Sequence, residues 1–168
     1  EGNTLPHGQP GEILTRTPTH MKGYWNNSAA TIAALRDGWY YTGDLGVMDE
    51  RGFVYLVDRK KDMIISGGEN IYSREVEEAL ATHPAVYDSA VIGVKDPHWG
   101  ESVRAIVVLR TEATEAELIA HCKTMIASYK KPKSVIFVDE LPRLPSGKIN
   151  KVSLRKNHAA SDATGGGS

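Results

Sequence analysis

Asp58-Arg59-Lys60-Lys61-Asp62 is an unbroken run of five charged residues with apolar, strand-like segments on either side. Charges at this density are not buried without partners, so the chain has to surface here. The run is the natural place for a linker or hinge, and a charged turn has the same appearance. It divides the 168-residue chain into unequal parts. The length fits one domain plus a fragment of another. We assign 1–58 to the end of a β-rich N-terminal domain and 59–62 to the hinge. Residues 63–156 form a compact C-terminal domain in this division, and 157–168 form a disordered tail or linker.

Before the run, Glu12–Arg16 reads as a short strand and Ser28–Leu35 as a short helix. Asp49-Glu50-Arg51-Gly52 is a turn signal, and Phe53–Val57 is aromatic and β-branched, so 45–57 is expected to form a hairpin. After the run, Asp62–Ile65 is a strand that Ser66-Gly67-Gly68-Glu69-Asn70 breaks. Ser73 starts a helix to about Thr82, with Glu75, Glu77 and Glu78 near its positive end. Val76 and Leu80, four apart, supply its buried stripe. Ser89–Val94 and Ser102–Leu109 are strands. Thr114-Glu115-Ala116-Glu117 is a capping box, and Leu118, Cys122, Met125 and Tyr129 continue a helical stripe to about Ser128. Ser134–Val138 is a further strand and Val152–Lys156 a last helical turn. The order β-α-β-β-α-β with short strands implies an α+β fold of small sheets with two main helices.

The formal net charge is −1, with 40% hydrophobic and 24% charged residues. This excludes a disordered polyelectrolyte and a chain that blankets nucleic acid with positive charge. Apolar runs such as Ala105–Leu109 are far too short for a transmembrane segment. The single cysteine, Cys122, excludes an internal disulfide and a multi-cysteine metal site, and fits a reducing, cytoplasmic location. It falls on the helical stripe, where it packs as a core thiol. His121 beside it makes no catalytic pair, because adjacent helical residues do not face each other. Residue 1 is Glu, no basic-then-apolar leader follows, and the end reads Gly-Gly-Gly-Ser, so the ends look cut. The charge is uneven: residues 123–156 hold nine basic and two acidic residues. Such a segment suits an anionic ligand, or is a solvated lysine-rich face.

Three segments carry chemistry. In Tyr41-Thr42-Gly43-Asp44-Leu45-Gly46, an aspartate beside glycines in a loop can accept hydrogen bonds from a ribose diol, or simply hold a turn. In Ser66-Gly67-Gly68-Glu69-Asn70, paired glycines admit a close backbone or a narrow ligand, or make a tight turn; the three-glycine dinucleotide spacing is missing. In Leu141–Lys148, a lysine on a Pro/Gly loop can swing a compact positive charge into a phosphate site, or stay solvated.

Taken in order, these segments resemble the C-terminal end of the adenylate-forming superfamily. That superfamily holds acyl-CoA synthetases, peptide synthetase adenylation domains and firefly-type luciferases. The resemblance covers about residues 10–156. It rests on Gly23–Asn26, on Asp37-Gly38-Trp39 with the Tyr-Thr-Gly-Asp-Leu-Gly segment, and on Asp58–Asp62 with the Gly-Gly-Glu-Asn segment. It continues through His83-Pro84, Asp96–Glu101, Tyr129–Lys133 and Ser146–Ile149. It implies an AMP-forming acyl-CoA ligase: carboxylic acid and ATP give an acyl-adenylate, and CoA then gives acyl-CoA and AMP. Asp44 and Arg59 match residues that reach the nucleotide ribose. Lys61 matches the hinge about which the C-terminal domain swings between half-reactions. Lys148 matches the lysine that contacts the reacting carboxylate and α-phosphate. Gly67, Gly68 and Glu69 match the turn lining the pantetheine tunnel, where a side chain at Gly68 would close the channel. Trp99 matches a position that packs the CoA adenine, and Lys130, Lys131 and Lys133 can meet CoA phosphates.

The superfamily's phosphate loop, adenine-binding segments and acyl pocket have no counterpart in these residues. The chain therefore reads as a fragment that is inactive alone and partners the missing N-terminal domain of the same enzyme. Mg²⁺ is expected with ATP, and no metal ligands are identifiable here. Two alternatives stay open: delivery to a carrier-protein pantetheine, and a non-catalytic fragment. The carboxylic acid is not readable, because its pocket lies upstream.

Overall fold

The computed structural model describes residues 3–158 and divides between Lys61 and Asp62 into two compact units. The first contains β1 (Gly11–Thr15), α1 (Ser28–Ala34), β2 (Leu35–Arg36), β3 (Trp39–Met48) and β4 (Val54–Arg59). β3 is its spine, and β1, β2 and β4 all pair with it antiparallel. The Asp49 carboxylate makes the β3–β4 turn by accepting the N–H groups of Arg51 and Phe53, each at 2.9 Å. The Phe53 N–H is the main reason its carboxyl lies below the usual aspartate range. Asn27 caps α1 by accepting the Ala30 N–H at 3.0 Å. Two expectations change here. Phe53 belongs to the turn, and the strand runs on to Arg59. Tyr41–Gly46 is not a loop: it lies within β3, whose pairing with β4 is irregular at Leu45/Gly46 and whose Gly43 holds left-handed backbone.

The second unit contains β5 (Ile64–Ser66), β6 (Glu69–Ile71), α2 (Ser73–Ala81), β7 (Val86–Asp96), β8 (Gly100–Leu109), α3 (Glu115–Met125), β9 (Ser134–Phe137) and α4 (Lys151–His158). Its sheet runs β6-β5-β8-β7, and β9 joins β8 in parallel. Alternation along the long β7–β8 hairpin sends side chains to two cores. Val91, Val103, Ala105 and Val107 meet Val76 and Leu80 of α2 and Leu118 and Cys122 of α3. Ala90, Ile92, Val94, Ile106 and Val108 meet Leu141 and Leu154 of α4 on the opposite face. This double coverage explains why β8 reads as a continuous apolar run. The α+β class holds, and so does the Thr114–Glu117 capping box.

Several boundaries differ from expectation. β7 and β8 extend toward each other and leave only Pro97-His98-Trp99 between them. The Gly67-Gly68 break is a hairpin turn into β6, a strand too short to show a pattern. α3 stops at Met125, and Met125 and Tyr129 are exposed, so the buried stripe ends at Cys122. The last helical turn is a two-turn helix that includes Asn157 and His158, which were expected in the tail. The rest of that tail lies outside the described residues.

Candidate functional site

Antiparallel register places Asp44 of β3 directly opposite Arg59 of β4. Arg59 Nε meets Asp44 Oδ1 at 2.6 Å, with both side chains partly exposed. Thr42 Oγ1 accepts the Asp44 N–H at 3.1 Å and fixes the strand beneath the carboxylate. Next to this pair, Lys60 Nζ contacts Glu12 Oε2 at 2.8 Å. The outcome is a carboxylate acceptor beside guanidinium donors, an arrangement that complements a vicinal diol. The two residues lie far apart in sequence, and it is the β3–β4 register that makes them one feature.

The second feature joins two turns. The Gly67 N–H donates to the Trp99 carbonyl at 2.9 Å, and Ser66 pairs with Gly100. Gly67 (φ +60°) and Gly68 (φ +85°) both hold left-handed backbone, which favours glycine. A Cβ on Gly67 would stand 2.7 Å from Trp99 Cε3, so the indole lies directly on this glycine. Nothing lies within 4 Å of a Cβ at Gly68, so the requirement visible there is the backbone conformation. Glu69 is exposed at the head of β6. Trp99 remains 45% exposed. Its ring has Lys133 Nζ at 4.8 Å from the centroid and the His98 ring edge-on at 4.6 Å. Asp96 Oδ1 accepts the His98 and Trp99 N–H groups at 2.9 and 3.0 Å. Those bonds, the Trp99 one foremost and Lys133 a lesser cause, hold the Asp96 carboxyl below its ordinary range. A half-exposed indole with an ammonium alongside suits a planar ring that carries phosphate.

The third feature is the Lys148 loop. Arg143 and Ile149 form an antiparallel bridge. Across it the Leu144 N–H donates to Lys148 O at 2.8 Å and the Asn150 N–H to Pro142 O at 2.7 Å. Arg143 Nη1 donates to Gly147 O at 2.8 Å, and its Nη2 binds Asp88. The stem is braced, while the Lys148 side chain is exposed and has no ion pair or hydrogen bond among the described residues.

The basic C-terminal segment is not the open patch that its composition implies. Five of its nine cations, Lys130, Lys133, Arg143, Lys151 and Arg155, pair with acids of residues 62–96. Counted over 62–158, basic and acidic residues are thirteen each. Lys130 binds both oxygens of Glu75 at 2.7 and 2.8 Å, and Lys131 donates to Ser128 O at 3.2 Å. Lys151 Nζ meets Glu77 Oε1 and Ser73 Oγ, each at 2.7 Å. Arg155 Nη2 meets Asp62 Oδ1 at 2.7 Å, with Asp62 buried. Sequence reasoning missed these last contacts. The available signal was the four-residue spacing of Lys151 and Arg155, which aligns them on one helix face.

Cys122 is buried and Met125 is not part of its core. His121 turns away from the thiol, with Nε2 at 2.8 Å from Thr82 Oγ1 and 3.2 Å from Ala79 O, and its ring lies against His83. Among the described residues no His/Cys/Asp/Glu group could hold a metal ion. Nor is any helix long and apolar enough to cross a membrane.

Comparison with known proteins gives the family. Residues 75–148 match the AMP-binding enzyme C-terminal domain, and this part of the chain belongs to that family. It is 46% identical over 156 residues to 2-succinylbenzoate–CoA ligase of Bacillus mycoides, covering 93% of this chain and 32% of that protein. It is 50% identical over 157 residues to a feruloyl-CoA synthase of an Amycolatopsis species, covering 92% and 32%. A solved o-succinylbenzoate CoA synthetase of Bacillus subtilis, in complex with its acyl-adenylate intermediate, superposes with a TM-score of 0.86 at 42% identity. That superposition covers 92% of this chain and 32% of the other. The chain thus spans about a third of the length of the relatives it matches.

Proposed function

We propose that the chain is the C-terminal part of an AMP-forming acyl-CoA ligase. A carboxylic acid and ATP form an acyl-adenylate and pyrophosphate; the CoA thiol then takes the acyl group and AMP leaves. The observation that carries this reading is Lys148: an ammonium that is exposed and has no partner among the described residues, on a braced loop in a segment where most cations are already paired.

In the first half-reaction negative charge builds on the phosphorus oxygens, and a positioned ammonium offsets it. Lys148 supplies that charge. Asp44 and Arg59 take the ribose hydroxyls, one as acceptor and the other as donor. Lys61 is the hinge. In the second half-reaction Gly67, Gly68 and Glu69 line the pantetheine passage, and Trp99 packs the CoA adenine with Lys133 beside it. Lys130 belongs to the scaffold through Glu75 and is withdrawn from the phosphate contacts. Mg²⁺ accompanies the ATP phosphates with its ligands upstream, and the reading places the enzyme in the cytoplasm with ATP and CoA. The names of the relatives support CoA as acceptor.

The test restores the upstream region and follows pyrophosphate and AMP with fatty and aromatic acids, with and without CoA. CoA-dependent AMP release is expected. Lys148→Ala is expected to lower adenylation about a hundredfold or more, equivalent to about 3 kcal/mol, while pre-formed acyl-adenylate still reacts with CoA. Unchanged adenylation in that variant would sink the reading. Pyrophosphate release without CoA turnover would move the acceptor to a carrier-protein pantetheine.

A further inference from the structure

Lys148 has an exposed head and a fixed base, and α4 is what fixes the base. Asn150 accepts the Ser153 N–H on Oδ1 at 3.1 Å and so caps the helix two residues after Lys148. Leu154 is buried with Leu141, which starts the other arm of the loop. One turn apart on α4, Lys151 reaches Ser73 and Glu77 of α2, and Arg155 reaches Asp62. Glu77 Oε1 also accepts the Val91 N–H at 2.8 Å, so α4, α2 and β7 meet at one carboxylate. The Arg155–Asp62 contact closes the longest of these spans, 93 residues. It ties the helix that anchors Lys148 to the first residue of its own unit, beside Lys61. Asp62 is 8% exposed, so its carboxylate is held by partners and not by bulk water.

We infer that Arg155, acting through its pair with Asp62, is a positioning residue for Lys148 in the adenylation half-reaction. It touches no substrate. It sets where the base of the Lys148 arm stands relative to the end of the unit, and displacements of about 1 Å at such a group cost rate steeply. The inference rests on the proposed role of Lys148.

The test uses the full-length enzyme and measures the half-reactions separately. Adenylation is read by acid-dependent ATP–pyrophosphate exchange, and thioester formation by AMP release from pre-formed acyl-adenylate with CoA. Arg155→Ala and Asp62→Asn are each expected to slow exchange about tenfold, with thioester formation held within about twofold. The double variant is expected to lose no more than either single one, because the two residues act as a unit. Arg155→Lys is expected to recover most of the exchange. In a Lys148→Ala background, Arg155→Ala is expected to cause no further loss. Equal loss in both half-reactions, or the same loss with and without Lys148, would overturn the inference and leave the ligase reading standing. Full exchange in Lys148→Ala alone would overturn both. If Arg155→Ala does not fold, the near-isosteric Asp62→Asn carries the same comparisons.

Discussion

Cys122 shows how a residue type that draws attention in a sequence becomes inert in a fold. Its thiol lies in the α3 core, and burial pushes it up to about 11. The reactive thiolate is therefore scarce near neutrality. Alkylating reagents at pH 8 are expected to leave the folded chain unmodified and to label one site in denaturant, as mass spectrometry would count. Labelling of the native chain within minutes would contradict the packing. Gly67 is the opposite case, a residue without a side chain on which another depends. Gly67→Ala places a methyl against the Trp99 ring and an L-residue in left-handed backbone. The backbone conformation alone costs about 1–2 kcal/mol. A lower melting temperature with a changed tryptophan near-UV signal is expected; an unshifted melt would mean the ring moves aside freely. Residue identities of this kind were legible from sequence. Their partners were not, because Gly67 and Trp99 meet through two separate turns.

Among the elements, α2 carries two acids whose consequences differ. Glu78 pairs with Arg74 one turn away, and both are exposed, so this contact contributes about 0.3–0.5 kcal/mol. Glu77 accepts from Lys151 and from the Val91 N–H, and its side chain is only 23% exposed. Its removal takes the counter-ion from Lys151, which keeps its bond to Ser73, and the acceptor from the Val91 N–H, at a cost of about 1–3 kcal/mol. Glu77→Ala is therefore expected to lower the denaturation midpoint several times more than Glu78→Ala, and equal shifts would refute the distinction. Helical periodicity and the capping box located α2 and α3 well. β6 and the full length of α4 escaped because three residues show no period and because α4 has few apolar positions. The same polarity hid its role: Leu154 alone is buried along it, and its other attachments are polar, Lys151 to Glu77 and Ser73, Arg155 to Asp62 and the His158 carbonyl to Arg104.

For the molecule as a whole, the division between Lys61 and Asp62 separates two kinds of unit. The second has two buried clusters and internally balanced charge. A fragment of residues 62–158 is expected to unfold in one cooperative transition, read by far-UV circular dichroism and by calorimetry. A gradual, non-cooperative melt would show that it depends on the rest of the chain. The first unit exposes Phe53 at the turn and Val54, Tyr55 and Leu56 in a row along β4, an apolar stretch of the kind that marks a contact surface. The charged run lies where the two units part. The basic C-terminal segment signalled less than it promised, since a count of charges does not reveal which acids fold back onto them.

That folding back has a direction in time. Asp62, Glu75, Glu77, Asp88 and Asp96 all leave the ribosome before the cations that pair with them. Until α4 emerges, Asp62 and Glu77 have neither Arg155 nor Lys151, and the second face of the sheet has no Leu154 over it. Among the described residues, the second unit thus gains these contacts only when α4 is released. A ribosome stalled before Arg155 would hold a second unit in which Asp62 lacks the partner that closes its longest ion pair.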